Sequence, residues 1–567
     1  MDFREEIIKI LEKETKLSGK ELANLISVPP NSKLGDYAFP CFKLGKNAKE
    51  EAGNLKGKLK KKNILPKFVS NVEAAGPYLN FFLNHHLLAE ETLKKIYKEA
   101  RDYGKQDVGK GKTIAMDYSH PNIAKPFGIG HLRSTVIGNS LNKIFRFLGY
   151  NTISVNHLGD WGTQFGKLIV AYKKWGSEKE LEKEPIKYLL KLYVKFHEEA
   201  EKDESLNDQA RAAFKKLEDG DKEYLSLWEL FKELSLKEFE RIYQILDVTF
   251  DSYKGEAFVN KFVDESIKVI ADKVSAKKSE GALVIDLEEY QMPPLMLKKS
   301  DGASTYHSRD IAAALYRMRK YKATKLLYVV GQEQKLYFKQ LFKVFELTGE
   351  NPDKFVHVDF GMFRFPEGKM STRKGNVIFL EEVLDKAITL AEKIIEEKNP
   401  NLENKKEVAK IVGVGAIIFG DLSNDRIRNI DFDWNRMLSF DGETAPYLQY
   451  THARACSILR KANKELGLNV SVKINFETFN QEEELAVIKS LYNFPEILVK
   501  VVQSYKPHHL AQYLISLAQA FNEFYHKCPV ISDQKHTMKA RLLLVDSVRQ
   551  VLLNGLDLLG IKAPEEM

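Results

Sequence analysis

The stretch from Thr113 to Asn156 constrains the fold most. Thr113–Ser119 (TIAMDYS) reads as a short, partly buried strand. A Pro- and Gly-containing loop, Pro121–Gly130, follows it. From about His131 to Leu148 the apolar residues Leu132, Val136, Ile137, Leu141, Ile144, Phe145 and Leu148 recur every three or four positions, which predicts one buried helical face ending at Gly149. Thr152–Asn156 (TISVN) then predicts a second strand. Strand, loop, helix and strand in that order are the local signature of a doubly wound parallel sheet, whose ligands bind beyond the carboxyl ends of its strands.

A chain of 567 residues has room for three to five domains at about 100–200 residues each, and it can bury a core without disulfides or metals. Three widely spaced cysteines, Cys41, Cys456 and Cys528, form no zinc-type pair and read as buried thiols in a reducing cytoplasm. No run approaches the roughly 18 apolar residues of a membrane span, and MDFREEIIKILEKETKL lacks the apolar core of a signal peptide. The expected location is cytoplasmic. The formal charge is +8, and residues 1–110 carry 21 Lys and Arg against 15 Asp and Glu. Such a bias suits a polyanionic partner, although on charge alone solubility is the better explanation. Lys56–Lys62 (KGKLKKK) is expected to be a solvated loop or a phosphate-facing patch.

Further strands are predicted at Gly281–Asp286, Lys325–Gly331 and Phe355–Phe360, and a Lys/Glu-rich helical insertion at about 176–245. From about 430 onward the pattern is wholly helical, with amphipathic stretches at Pro446–Leu466, Glu482–Gln503, His508–Tyr525 and Lys539–Leu559. The expected architecture is α/β. It comprises a small α+β N-terminal module (1–110), a doubly wound, Rossmann-like parallel catalytic domain (111–430) and an all-α C-terminal bundle (431–567).

Two loops carry the chemistry. In the first, Ser119–Ser134, the glycines Gly128 and Gly130 let a base or phosphate approach the backbone. His131 opens a helix whose N-terminus favours anions, and Lys125 adds a mobile charge. The second, Gly368–Asn376, holds Lys369, Met370, Ser371, Thr372, Arg373 and Lys374 between glycines, a flexible polyphosphate clamp. Each loop alone is as readily an ordinary turn. Together, at strand ends of one sheet, they would bracket a mononucleotide.

This pair resembles the HIGH and KMSKS signatures of the class I aminoacyl-tRNA synthetases. PNIAKPFGIGHLRSTVIGNSL together with HLGDWGTQFGKL (His157–Leu168) resembles the arginyl-tRNA synthetase family. The likeness extends over nearly the whole chain. AAGPYLNFFL (Ala74–Leu83) and LGDYAFPCFKLGK (Leu34–Lys46) are similar to that family's N-terminal module, which contacts the tRNA elbow. Thr444–Arg460 and Val545–Met567 are similar to its anticodon-binding bundle. Two positions depart from the signatures: Gly128 stands where HIGH has its first His, and Thr372 replaces the second Lys of KMSKS.

The resemblance implies ATP-dependent ligation of L-arginine to its tRNA through an arginyl adenylate. ATP enters as a substrate accompanied by Mg²⁺, without zinc, in a protein that is mostly monomeric in this family. It implies Lys125, His131 and Lys369 as phosphate-binding catalytic residues. Gly128, Gly130, Met370, Ser371 and Arg373 are implied as further ATP contacts. Tyr306 and Asp310, four apart on one helix face, and Glu256 are implied for the arginine guanidinium. Asn122 and Gln334 are implied for the amino-acid backbone. His157 and Asp160 line the pocket or serve ordinary turns. Tyr447, Tyr450, His452, Arg454 and Arg460 interleave aromatics and cations as single-stranded RNA binders do, with Tyr447 and Arg454 taken as tRNA contacts. A cysteinyl-type class I synthetase lacks support, because no zinc-binding Cys/His set is present. A catalytically impaired, tRNA-binding paralogue is the other reading, motivated by Gly128 and Thr372.

Overall fold

The computed structural model describes residues 3–29, 31–62, 64–364 and 378–567. Contacts divide it into two units. One comprises Met1–Tyr103, Ala455–Phe494 and Ser516–Val551; the other comprises Gly104–Arg454, Pro495–Ile515 and Leu552–Met567. Both units thus draw on the C-terminal helices, so the division does not follow chain order.

The second unit is built on the predicted sheet. Strand β1 (Thr113–Asp117) leads through the glycine loop to helix α1 (Leu132–Phe147), which returns to β2 (Asn151–Val155). Helix α2 (Tyr306–Tyr321), strand β3 (Lys325–Tyr328), helix α3 (Lys335–Leu347) and strand β4 (Phe355–His357) complete it. The order is β4-β3-β1-β2, every pairing parallel. Apolar residues of α2 and α3, including Ile311, Ala314, Leu341 and Phe345, pack with Leu326 and Phe355 of the strands into one core. Four parallel strands with helical crossovers leave one sheet end, the carboxyl end, lined by loops.

The strand expected at Gly281–Asp286 forms at Ala282–Ile285, but it lies outside this sheet. It pairs antiparallel with Lys277–Ser279 and Leu295–Lys298. The cause is local: Glu280 and Gly281 both take positive φ, which closes a two-residue hairpin and forces antiparallel pairing. The insertion is helical, running through Glu178–Lys183, Pro185–Ala200, Ser205–Glu218 and Lys222–Leu246. Helices resume before residue 430, at Leu380–Lys398 and Lys405–Leu422, and the short strand Ile430–Asp431 pairs with Phe363–Arg364. The C-terminal helices span Ala445–Leu466, Glu482–Ser504, His508–Lys527 and Lys535–Leu558.

In the first unit, an antiparallel sheet orders Tyr37–Pro40, Tyr78–Leu83 and Val69–Ala75. The basic run Lys56–Lys62 is not a loop. All but Lys62 lie in helix Ala48–Lys61, because Ala52, Leu55 and Leu59 fall at helical spacing and are buried. Lys58 and Lys62 both sit 2.9 Å from Glu14. Among the described residues, no helix is long and apolar enough to cross a membrane. All three cysteines are buried.

Candidate active site

The loop after β1 is held in an unusual backbone path. Ser119, His120 and Ala124 all adopt positive φ, which costs a non-glycine residue of order 1–3 kcal/mol. Fixed partners stabilise it. The Ser119 N–H donates to Ser134 Oγ at 2.8 Å, the Ser119 hydroxyl meets the Tyr243 hydroxyl at 2.7 Å, and the Ala124 N–H donates to Ser235 Oγ at 2.7 Å. Tyr243 and Ser235 lie on the inserted helix Lys222–Leu246, so the insertion helps to shape this loop.

His131 Nδ1 lies 3.2 Å from the Gly128 carbonyl, so it carries the hydrogen and donates, leaving Nε2 as the bare nitrogen. Burial pushes its pKa down to about 4, with His120 and Lys125 adding repulsion. The imidazole is neutral until an anion reaches it. The Lys125 ammonium lies 5.2 Å from the centre of the Tyr193 ring. A Cβ added at Gly130 would meet nothing within 4 Å, so open space faces this position.

Lys369, Met370, Ser371, Arg373 and Thr372 lie outside the described residues. The flanks of their segment are informative. Arg133, 1% exposed, donates from Nε to Asp421 at 2.9 Å and from its fork to the carbonyls of Gly361, Arg428 and Arg426. Gly361 precedes the segment. After it, Ile378 and Phe379 pair with Ile129 and Gly128.

The segment His157–Asp160 connects the first loop to an acidic pocket. Gly159 exchanges backbone hydrogen bonds with Pro121 and Ile123, and a Cβ on it would stand 2.2 Å from Asn122 Oδ1. On its other side the Glu256 N–H donates to the Leu158 carbonyl at 3.0 Å and the Ala257 N–H to Asp160 at 2.8 Å. Gly255 also needs its missing side chain, since a Cβ would lie 2.3 Å from that Leu158 carbonyl. Asp160 is structural as well: it accepts from Lys232 at 2.7 Å through its carboxylate and from Trp228 at 2.8 Å through its carbonyl. His157 Nδ1 rests 3.2 Å from the Lys254 carbonyl.

Tyr306 and Asp310 share the first turns of α2, capped by Thr305, as their spacing predicted. Tyr306 is 63% exposed, so its ring can cover a ligand. Asp310 accepts a hydrogen bond from the Tyr337 hydroxyl of α3, and the Tyr337 ring stacks on His307 at 4.2 Å. Burial, reinforced by Asp310, raises the Tyr337 pKa, which keeps it a donor. The Glu256 side chain is 15% exposed, and its Oε2 has no hydrogen-bond partner among the described residues. Burial lifts its pKa to about 7; Arg309 opposes this, and Asp310 and Asp160 add to it. Gln334 sits exposed in the short turn before α3.

Below the pocket lies a network the sequence did not single out. At the end of β1, Asp117 Oδ2 is 2.6 Å from Arg317 Nη1, and Oδ1 is 2.7 Å from His120 Nε2. Burial disfavours its charge, but Arg317 and His120 outweigh that and hold the carboxyl well below the usual range. Arg317 lies seven residues after Asp310, two turns along the same helix face, the signal that could have found it. Arg309 and Tyr337 were also missed.

In helix Ala445–Leu466, the Arg454 guanidinium lies 4.8 Å from the centre of the exposed Tyr450 ring, an aromatic–cation pair at the surface. Tyr447 is half-buried. His452 is buried and bonded to the Pro564 carbonyl at 2.9 Å, a core role.

Three family models match the chain. The class I (R) tRNA synthetase catalytic domain matches residues 92–434, the DALR anticodon binding domain 448–567, and the arginyl tRNA synthetase N-terminal domain 1–83. The arginine–tRNA ligases of Alkaliphilus metalliredigens and Clostridioides difficile are each 48% identical over all of both chains. The solved Thermus thermophilus arginyl-tRNA synthetase superposes with a TM-score of 0.82 at 26% identity, covering 96% of each chain. That of Plasmodium falciparum gives 0.77 at 25% identity, covering 96% of this chain and 94% of its own.

Proposed function

We propose the residue roles below from one premise: the chain belongs to the arginyl-tRNA synthetase family. It is an arginine–tRNA ligase, and its fold is that of the class I synthetases. ATP, arginine and tRNA are its substrates.

The arginine carboxylate attacks the α-phosphate and pyrophosphate leaves. The nucleophile is already an anion, so no protein base is needed, and the protein's task is positioning and charge neutralisation. Lys125, His131 and Lys369 meet the phosphates. Gly128, Gly130, Met370, Ser371 and Arg373 complete the nucleotide contacts. Asp117, the carboxylate beside the first loop, is already engaged by Arg317 and His120, and the loop's own Lys125 attracts phosphate oxygens and repels a cation. Mg²⁺ would therefore ride on the phosphates and supply charge neutralisation there. Asn122, beside Gly159, and Gln334 hold the amino-acid backbone groups. Tyr306 covers the guanidinium while Asp310 and Glu256 accept its hydrogen bonds.

The remaining assignments extend this reading. The three modules are 1–110 for the tRNA elbow, 111–430 for catalysis and 431–567 for the anticodon, with Tyr447 and Arg454 contacting tRNA. The enzyme acts as a cytoplasmic monomer.

One observation carries the arginine pocket: a buried Glu256 oxygen without a hydrogen-bond partner among the described residues, close enough to Asp310 for their charges to interact. A buried acceptor of this kind calls for a charged donor. The test is aminoacylation with each amino acid in turn, using Glu256→Gln and Asp310→Ala. Both variants should lose arginine charging while tRNA binding persists. Unchanged kinetics in both would overturn the assignment.

A further inference from the structure

We propose that Arg309 is an internal competitor in the arginine pocket: its guanidinium competes with that of the substrate for Glu256 and the Tyr306 ring. The proposal rests on the reading of Tyr306, Asp310 and Glu256 as the arginine pocket. Tyr306, Arg309 and Asp310 fall at spacings of three and four on α2, so the helix presents all three on one edge. The Arg309 guanidinium carbon lies 4.7 Å from the centre of the Tyr306 ring. Its Nε lies 3.7 Å from Glu256 Oε2. Two of the three groups assigned to the substrate's guanidinium are thus already engaged by a guanidinium of the chain itself.

The engagement is incomplete in an informative way. At 3.7 Å the Arg309–Glu256 contact is an ion pair without a hydrogen bond, and both Nε and Oε2 are buried without hydrogen-bond partners among the described residues. From the fork, Nη1 donates to Ser304 Oγ at 3.3 Å. A bound arginine that donates to Glu256 at the usual 2.7–2.9 Å of a charge-assisted bond gains what Arg309 does not. Displaced Arg309 need not lose all carboxylate company, because Glu218, at the end of the inserted helix Ser205–Glu218, already feels its charge.

Competition of this kind raises the threshold for every cation. A ligand must beat Arg309 at the ring and at the carboxylate together. A planar, forked guanidinium does so. The ammonium of lysine is a compact, strongly hydrated point charge that can replace the pairing but neither the stacking nor the fork. The cost of displacing Arg309 is common to both cations and cancels from their ratio, so Arg309 lowers arginine affinity while the fork and the stacking set the preference over lysine.

The experiment uses the full chain with tRNA, ATP and Mg²⁺, and compares wild type with Arg309→Leu, Arg309→Lys and Glu256→Gln. It reads KM for arginine and ATP, arginine-over-lysine discrimination in kcat/KM, and competitive inhibition by methylguanidinium. For Arg309→Leu, the arginine KM and the methylguanidinium Ki should each fall about three- to tenfold. Discrimination against lysine should change by less than about threefold, with the ATP KM unmoved. Arg309→Lys should lie between and keeps the proposal testable if the leucine variant does not fold. A rise in arginine KM with weaker methylguanidinium inhibition, or no change in either, overturns the proposal. Glu256→Gln separates the two readings: if it leaves arginine KM and methylguanidinium Ki unmoved, the pocket itself is misassigned. If it raises both while the Arg309 variants do not lower them, only the role of Arg309 falls.

Discussion

The Ile129 N–H donates to the Ile378 carbonyl at 3.0 Å, joining two segments 249 residues apart in the chain. The Leu380 N–H adds a second bond to the Phe127 carbonyl at 2.9 Å. Together they fasten the segment leaving the second cationic loop to the turn at Gly128. Arg133 fastens the segment entering it, through the Gly361 carbonyl at 2.7 Å. The first cationic loop and the described residues on either side of 365–377 are therefore referenced to the start of α1.

Arg133→Met tests that anchoring. It removes the partner of Asp421 and the donors to three carbonyls, all in a buried site. Removing one member of a buried ion pair typically costs about 3–5 kcal/mol. The expected result is a lower denaturant midpoint by that order and loss of adenylate formation. Arg133→Lys should rescue little, since an ammonium has no fork.

The second prediction concerns pH. Glu256 has its pKa raised to about 7 by burial, so the free enzyme binds this proton more tightly than the unfolded chain does. That contribution to stability is complete below the ordinary carboxyl value near 4.5 and is lost as pH rises through about 7. Arginine needs the ionised form, so its affinity should run the opposite way. Binding should be about tenfold weaker at pH 6 than on the plateau near pH 8. Measuring the arginine KM across this range checks it, and Glu256→Gln should flatten the profile.

How far the site was legible in the sequence differs from residue to residue. Tyr306 and Asp310 were readable because helical spacing is local. The β1–α1 unit was readable because its apolar period changes at a glycine loop. Tyr337 was not, since it reaches Asp310 from the next helix and nothing in its neighbourhood announces a polar role. Arg317 and Asp117 pair across 200 residues, and each alone looks like an ordinary charge. The strand at Ala282–Ile285 was readable but the sheet it joins was not, because strand period does not report the partner. Lys56–Lys61 looked like a loop because charge concealed the buried Leu55 and Leu59.

Tyr337 supplies the third prediction. Its hydroxyl orients the Asp310 carboxylate without any assigned contact to substrate, so it is a positioning residue. A hydrogen bond to a charged group contributes about 1.5–3 kcal/mol. Tyr337→Phe should raise the arginine KM at least tenfold and leave the ATP KM unaltered. A loss of stability alone, with normal arginine kinetics, would contradict the role.

His131 supplies the fourth. Burial holds it neutral, and its Nδ1–H is committed to the Gly128 carbonyl. A bare Nε2 facing phosphate oxygens is unfavourable, so triphosphate binding should raise its pKa and draw in a proton. Calorimetric titration of ATP in buffers of differing ionisation enthalpy should show proton uptake near pH 7. His131→Asn should abolish that uptake.

Lys125 distinguishes transition-state from ground-state binding. Its ammonium lies 5.2 Å from the centre of the Tyr193 ring, on the inserted helix Pro185–Ala200, a contact that keeps a positive charge beside the first loop. Charge on the α-phosphoryl oxygens and the leaving pyrophosphate grows as the bond to pyrophosphate breaks, so a cation beside them acts most strongly in the transition state. Lys125→Ala should therefore lower kcat for adenylate formation by about 10²–10³-fold, the loss typical of one such donor, while the ATP KM changes little. A rise in KM at constant kcat would assign Lys125 to ground-state ATP binding instead. Tyr193→Leu offers the complementary measurement: if the ring only tethers the ammonium, kcat should fall by much less than in Lys125→Ala.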